Sequence, residues 1–392
     1  MRRRSNFVLT LVLLVIGGGL AAGFLTGSST GSADGATAWL APTFSTSFTT
    51  DAGSWAIVPM GDLNDPFNTF WQAFFRTSPQ SAWRLVTPPG VADNGGLSVE
   101  TNGAQSDQVS IVFGPTNLLK FSPVATTGDN GANWSGGVVP FGTASSPDVF
   151  AQGTVTNGEV AALHSGGTVV EAGSLSGSQW SAVVYAKQID DSDAGRPCGV
   201  GSITTLSGSP DDLFIGSSCN DRGVVGIFNY RSGGSIERIA PGLPSSDGSF
   251  SVLRLSATTA GLFALIDGKL KTENRLLALW MPSGGHDWAI SPGLDITPHS
   301  RLVYAGIGSA GSAMIETQTN TGEDQAFSST TGGVWMRLPT LPAGTQGLSE
   351  SPDGQIDALC IHASIFDDWR LEGSTWLQVQ HLDVPIQYGS SS

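Results

Sequence analysis

Apolar residues along this chain fall in short runs that alternate with polar positions and are cut by Gly, Ser, Asp and Pro. The segments GLSVE, FSVLRLS, RLVYAGI and QIDALCIH each open such a run. Alternation of this kind, rich in β-branched residues and bounded by turn formers, predicts strands. Residues 250–293 carry four in succession, FSVLRLSATT, LFALIDG, RLLALWMPS and DWAISPG, which read as one antiparallel meander. Nothing after residue 26 has the period of a long amphipathic helix. A different pattern stands at the start. Arg2, Arg3 and Arg4 precede residues 7–25, FVLTLVLLVIGGGLAAGFL, a stretch without charge. At about 1.5 Å per residue it is long enough to cross a hydrocarbon core as a helix. It reads as an uncleaved signal anchor or as a cleaved signal peptide. The small residues Ala36-Thr37-Ala38 lie far beyond the apolar run, and Gly19-Leu20-Ala21 lies inside it, which favours the anchor. Either way the Arg cluster stays inside and the C-terminal body is exported. The expected organisation is a helix over 1–26, a Gly/Ser-rich tether over 27–38 and a body over 39–392.

The runs repeat. A Gly-x-x-Trp-like signature returns at Trp83, Trp134, Trp180, Ile236, Trp288, Trp335 and Trp376. The Gly is Gln80 in the first copy, and Ile236 replaces Trp in the fourth. The mean step is roughly 49 residues, within the period of propeller blades. After several anchors a strand ends on Pro or Gly and crosses onward: WRLVTPPG, IERIAPGL, WAISPGLD, WMRLPTLP. The expected fold is therefore all-β, a single β-propeller of about seven four-stranded blades preceded by one N-terminal hydrophobic helix; six or eight blades would follow from misreading one end. The first and last blades look a strand short. Residues 39–47 or the C-terminal VPIQYG could complete them, and closure would leave no open strand edge.

The copy Thr127-Gly-Asp129-Asn-Gly131-Ala-Asn-Trp134 fits Ser/Thr-x-Asp-x-Gly-x-x-Trp at every defined position. It resembles the Asp-box (BNR) repeat of sialidase-like propellers. Ser328-x-Thr330-x-Gly332-x-x-Trp335 keeps the shape without the Asp. The resemblance implies a turn between third and fourth strands, held by short polar side chains and a Gly at positive φ. It makes Thr127, Asp129, Gly131 and Trp134 structural, with Trp134 packed between sheets. Such turns lie opposite the active face of those families. Sialidase chemistry would also need converging Arg residues, a Tyr–Glu pair and an acid Asp. Only Arg76, in Phe-Arg-Thr-Ser-Pro, has a faint counterpart of the family's N-terminal element, and no Tyr–Glu pair is evident.

Charge narrows the partners. The net charge is -15, with four Lys and no basic stripe. A phosphate backbone would be repelled, which excludes nucleic acid. Carboxylates assigned to the other face are Asp190, Asp191, Asp193, Asp247, Asp295 near His299, Asp353, and Asp93 beside Asn94. Asp191-x-Asp193-x-Gly195 has part of the spacing of a calcium loop and lacks its downstream Glu. Asp62 and Asp65 read as turn residues. The five His have no ligand spacing, and His362, in an apolar strand, reads as a core residue. Gly306-x-Gly308-x-x-Gly311 is followed by a strand rather than the helix a dinucleotide site needs, and Gly27-Ser-Ser29-Thr-Gly31 lies in the tether. No catalytic, cofactor-binding or metal residue is assigned, and no cofactor is expected.

Cys198 and Cys219 flank a predicted hairpin with its turn over 207–212. In simple register they face each other at a separation a disulfide can bridge; Cys360 is left as a core thiol. The function expected is a membrane-tethered binding or scaffold module outside the cell, attached through the N-terminal helix, or else a secreted one. Its partner would be an envelope protein, a peptide or a neutral glycan. A carbohydrate-active hydrolase or an envelope assembly or maturation factor is the alternative.

Overall fold

The computed structural model describes residues 46–384 apart from 51, 62–68, 89–96, 102–107, 114–119, 145–147, 153–158, 178, 244–247, 270–273, 298–299, 309–310 and 331. The chain divides into two units, residues 1–36 and 37–392, and every described residue belongs to the second. The apolar run 7–25, the tether 27–38, Asp62, Asp65, Asp93, Asn94, Asp247 and His299 lie outside the described residues. Among the described residues no helix is long and apolar enough to cross a membrane.

The described chain is nearly all β. It forms six antiparallel sheets, five of four strands and one of nine. In the four-stranded sheets, sequence neighbours pair in order, the meander that the alternation of 250–293 predicts. That segment forms strands Ser249–Thr258, Gly261–Lys269, Asn274–Pro282 and Ala289–Ile290. The nine-stranded sheet is two meanders, 200–238 and 249–296, joined where Ser218 pairs with Ser251 and Arg222 with Ser249. Each opening strand packs beside the next: Thr46–Thr50, Leu97–Thr101, Phe150–Gln152, Val200–Ser209, Ser249–Thr258, Arg301–Ile307 and Thr345–Glu350, the last returning to Thr46–Thr50. Apolar residues alternate to both faces of the middle strands, so clusters form between adjacent sheets. Leu265, Leu276 and Ile296 of the nine-stranded sheet thus meet Leu302, Ala305 and Ile315 of the next.

Two expectations about the ends are corrected. Neither end is a strand short. The first sheet has its own four strands from Thr46 to Leu85, and the last has four from Thr345 to Asp383. QIDALCIH is the second strand of its sheet, Ile356–His362, because Thr345–Glu350, which has little apolar alternation, opens it. The two sheets therefore meet without a shared strand. One backbone bridge, Gly61 to Ala363, links them. Side chains supply the rest. Ser47 Oγ donates to the Leu348 carbonyl at 2.7 Å. Phe74 stacks on Phe366 with centroids 4.2 Å apart. Arg76 enters between Asp357 (2.5 Å) and Asp368 (3.2 Å).

The disulfide is present, with Cys198 and Cys219 Cα atoms 4.8 Å apart. The register that predicted it is corrected. The hairpin turns at Pro210–Asp211, so Ser209 faces Asp212, and two bulges shift the pairing until Val200 faces Cys219. Cys198 lies just beyond that strand. A one-turn helix not expected from sequence, Ala186–Asp191, precedes it. Cys360 is buried and unpaired, and burial pushes its thiol up to about 12.

Candidate functional site: a cleft between the last two sheets

Each repeat anchor stands at or just before the fourth strand of its meander. Trp83, Trp134 and Trp288 immediately precede that strand, Trp180 and Trp335 open it, and Ile236 and Trp376 are its second residue. Three of the indoles join successive meanders by the same kind of bond, while the buried Nε1 groups of Trp180 and Trp335 make none. Trp134 Nε1 donates to the Val86 carbonyl (2.9 Å), Trp288 Nε1 to Ile239 (2.6 Å) and Trp376 Nε1 to Pro339 (3.4 Å). Each acceptor lies three or four residues after the preceding anchor. Trp83, in the first of the described sheets, donates to Asp368 of the last at 2.9 Å. Ile236 has no such donor and packs into the core beside Tyr230.

The turn at Thr127 is held by its own side chains. Thr127 Oγ1 donates to Asp129 Oδ1 at 2.8 Å and accepts from the Gly131 amide at 3.0 Å. Asp129 also accepts from the Asn133 amide (2.8 Å) and side chain (2.7 Å), and these bonds lower its carboxyl pKa, the Asn133 side chain most. Gly131 has φ 79°, and a Cβ there would stand 2.6 Å from Val86 Cβ of the previous sheet. In the fifth copy the left-handed residue is Gly284, not Gly285, whose amide closes the turn onto the Pro282 carbonyl. Gly177 of the third copy is likewise not left-handed.

Along the opening strands the charged groups neutralise each other. Arg254 grips Asp148 through Nε (2.7 Å) and Nη2 (2.8 Å), and its Nη1 donates to the Ala305 carbonyl at 2.8 Å. Asp148 also accepts from the Leu255 amide at 3.0 Å. A bidentate pair with these further bonds fixes three groups of strands and leaves the carboxylate engaged. Arg76 is equally committed: 1% exposed, between two Asp and 4.3 Å over the Trp83 ring. Among the other carboxylates, Asp190 accepts from the Val200 amide, Asp191 pairs with Lys187, Asp193 with Arg196 and Asp295 with Arg275. Asp353 is relocated: it lies in the turn between first and second strands of the last sheet, at the same end as the Asp129-type turns. Among the described residues no three His, Cys, Asp or Glu are grouped to hold a metal.

Three buried carboxyls depart from the ordinary range. Burial raises Glu316 to about 8 and Asp267 to about 6. Asp368 is raised by burial first and then by Asp357, against the pull of Arg76. All three are buried and closed to a substrate.

An open site among the described residues lies elsewhere. A cleft of about 650 Å³ lies where the chain crosses from the strand Trp335–Arg337 to Thr345–Glu350. Its lining presents two indoles, Trp369 and Trp376, the imidazole of His362, and the hydroxyls of Thr340, Ser374 and Thr375, with Pro339, Pro342 and Ala343 from the crossing. It includes no carboxylate and no Lys or Arg. His362 is thus an exposed cleft residue, not the core residue expected; it ends the strand Ile356–His362, where the alternation that buries Cys360 runs out. Trp376 has both a packing role and a face toward the cleft. Trp369 carries no repeat signature and could have been found only as a second aromatic in a strand already holding Phe366.

An aromatic-lined concavity with a few polar groups is the usual form of a small-ligand site. Several solved structures are similar in fold. They include a GH74 xyloglucanase from Xanthomonas campestris (11% identity, 87% of this chain and 52% of that one, TM-score 0.50) and a protein from Lactobacillus plantarum (11%, 85% and 96%, 0.50). A six-bladed fungal lectin from Aleuria aurantia is a third (12%, 88% and 96%, 0.42). This chain spans about half the length of the xyloglucanase. No protein-family model matches the chain, and comparison with curated proteins gives no match. At these identities the likeness concerns the fold alone: the neighbours are β-propellers, and this chain has a propeller scaffold.

Proposed function

We propose that the chain is a seven-bladed propeller, counting the nine-stranded sheet as two blades, built on Asp-box-type turns and serving as a binding module for neutral glycans at the cell envelope. Residues 7–25 would tether it to the membrane with the body outside. Thr127, Asp129, Gly131 and the Trp anchors are structural in this reading, and they carry no ligand.

One observation carries the proposal: the cleft between the last two blades, with two indoles, three hydroxyls and no charged group. Aromatic faces pack against the C–H faces of a sugar, and hydroxyls meet its polar rim. The net charge of -15 opposes anionic ligands and leaves neutral ones unaffected. A hydrolase would need a pair of reachable carboxylates at glycosidase spacing; the cleft lining contains none. The test is a neutral-glycan array probed with the purified full chain. Retention of at least one neutral glycan, reduced by Trp369→Ala, supports the reading. An array blank for neutral glycans contradicts it.

A further inference from the structure

The crossing from Trp335–Arg337 to Thr345–Glu350 is drawn onto the end of the strand Ile356–His362. Thr345 pairs with Cys360, and the Ile361 amide donates to the Gly344 carbonyl at 2.8 Å. Thr345 Oγ1 donates to the Pro342 carbonyl at 2.7 Å and closes the turn between them. Gly344 is thereby fixed beside His362, with φ 78°. A Cβ at this position would stand 2.8 Å from Nε2 of His362, 2.9 Å from Nδ1 and closer still to Cε1. All three separations are well inside van der Waals contact, and all three atoms belong to one ring. The His362 imidazole therefore fills the place where any other residue at 344 would carry its side chain.

That ring lines the cleft beside Pro342 and Ala343. His164 and His381 each lie against a carboxylate, 3.1 Å from Glu171 and 2.7 Å from Asp367. Among the described residues His362 has no hydrogen-bond partner, and neither do the hydroxyls of Thr340, Ser374 and Thr375. A neutral imidazole donates from one nitrogen and accepts at the other, whereas an indole only donates. Sugar hydroxyls also donate and accept, so the imidazole meets both halves of their bonding.

We infer that Gly344 is a positioning residue of the cleft: having no side chain, it lets the His362 imidazole rest against the crossing, where the ring exchanges hydrogen bonds with the hydroxyls of a neutral glycan. The inference rests on the glycan-binding reading and names the pair of residues that sets its polar contact. A glycine needed only for its left-handed backbone makes a different prediction. Asn enters that conformation more readily than other side chains, so it would be accepted at 344. With the imidazole in the way, it is not.

The experiment is a double-variant cycle on the full chain. The probes are free maltotetraose, cellotetraose, chitotetraose and mannotetraose, with any neutral glycan the array retains; affinity is read by calorimetric titration and stability by thermal melting. His362→Ala, at an exposed position, removes one polar contact and should weaken binding about threefold to tenfold. Gly344→Asn should weaken it to a similar degree by turning the ring out of the lining. The double variant should bind no more weakly than His362→Ala alone. It should also melt higher than Gly344→Asn, because the colliding ring is gone. That pattern supports the inference. If His362→Ala or Gly344→Asn keeps parental affinity, or if Gly344→Asn costs the same in both backgrounds, the positioning role is wrong while the glycan-binding reading stands. Should Gly344→Asn fail to fold, a folded double variant supports the collision and an unfolded one overturns it. If the array is blank and none of the four sugars binds, both readings fall.

Discussion

Arg76→Met tests how the first and last sheets are held together. In the folded protein Arg76 and Arg370 face Asp357 and Asp368: Arg76 Nη2 is 2.5 Å from Asp357, Nη1 is 3.2 Å from Asp368, and Arg370 Nε is 3.2 Å from Asp357. Both carboxylates are at most 2% exposed. Two charges of each sign balance. Methionine keeps much of the stem packing over Trp83 and leaves one carboxylate in surplus. Breaking a buried pair on one side typically costs about 3–5 kcal/mol, against a total stability of roughly 5–15 kcal/mol for a protein. The surplus carboxyl has a sign that can be checked. Its folded pKa lies above its unfolded one, so its contribution is retained at low pH and lost as pH rises through the folded value. The deficit of the variant should shrink toward pH 5. Arg76→Met with Asp368→Asn removes the surplus charge, keeps an acceptor for the Trp83 indole and should recover most of the loss, because no unpaired buried charge remains. Urea unfolding followed by Trp fluorescence at pH 5 and pH 8 reads all three. A single-variant loss below about 1 kcal/mol, or a double variant less stable than the single, refutes the seam as drawn.

Glu316, raised to about 8 by burial, makes the folded state bind a proton that the unfolded chain releases above its ordinary pKa of 4.5. Stability should therefore fall between pH 5 and pH 8, and Glu316→Gln should flatten that fall in thermal melts across the range. Trp134→Ala should cost about 3 kcal/mol by opening space against Trp55 and Val86, whereas Asp129→Ala should lower the melting temperature by less and leave glycan retention unchanged. Replacing Cys198 and Cys219 by Ser should cost about 3 kcal/mol, read in the same urea experiment, with Cys360 unreactive to thiol reagents until the chain unfolds. If residues 7–25 anchor the chain, it should pellet with membranes at full mass and lose its body to external protease; an N-terminus near Trp39 in mature protein would contradict the anchor.

The scaffold was legible because its determinants are local. Strand alternation and turn formers in 250–293 indicate three strands nearly residue for residue, whereas the seven-residue fourth run shortens to Ala289–Ile290; the Trp anchors mark the fourth strands because packing needs one large side chain per crossing. What was not legible depends on partners remote in sequence. Nothing near Arg76 indicates that Asp357 and Asp368 will enclose it from the far end of the chain. The Cys198–Cys219 bond was readable, yet its register was not, since two bulges leave no simple mark in composition. His362 looked like core because its strand is apolar; its exposure follows from being the last residue of that strand. The cleft itself was invisible because it is framed by a crossing, a strand end and two Trp, one of them already assigned to packing.

The most direct test of the account watches the indoles. In a ¹⁵N spectrum of the full chain, the Nε1–H resonances of the eleven Trp are followed while a neutral oligosaccharide retained on the array is added to saturation. The account predicts that the resonances of Trp369 and Trp376, identified by single Trp→Phe variants, move with the titration while Trp83, Trp134 and Trp288 stay in place. Saturation that leaves Trp369 and Trp376 unmoved, or that moves only Trp residues of other sheets, would contradict it.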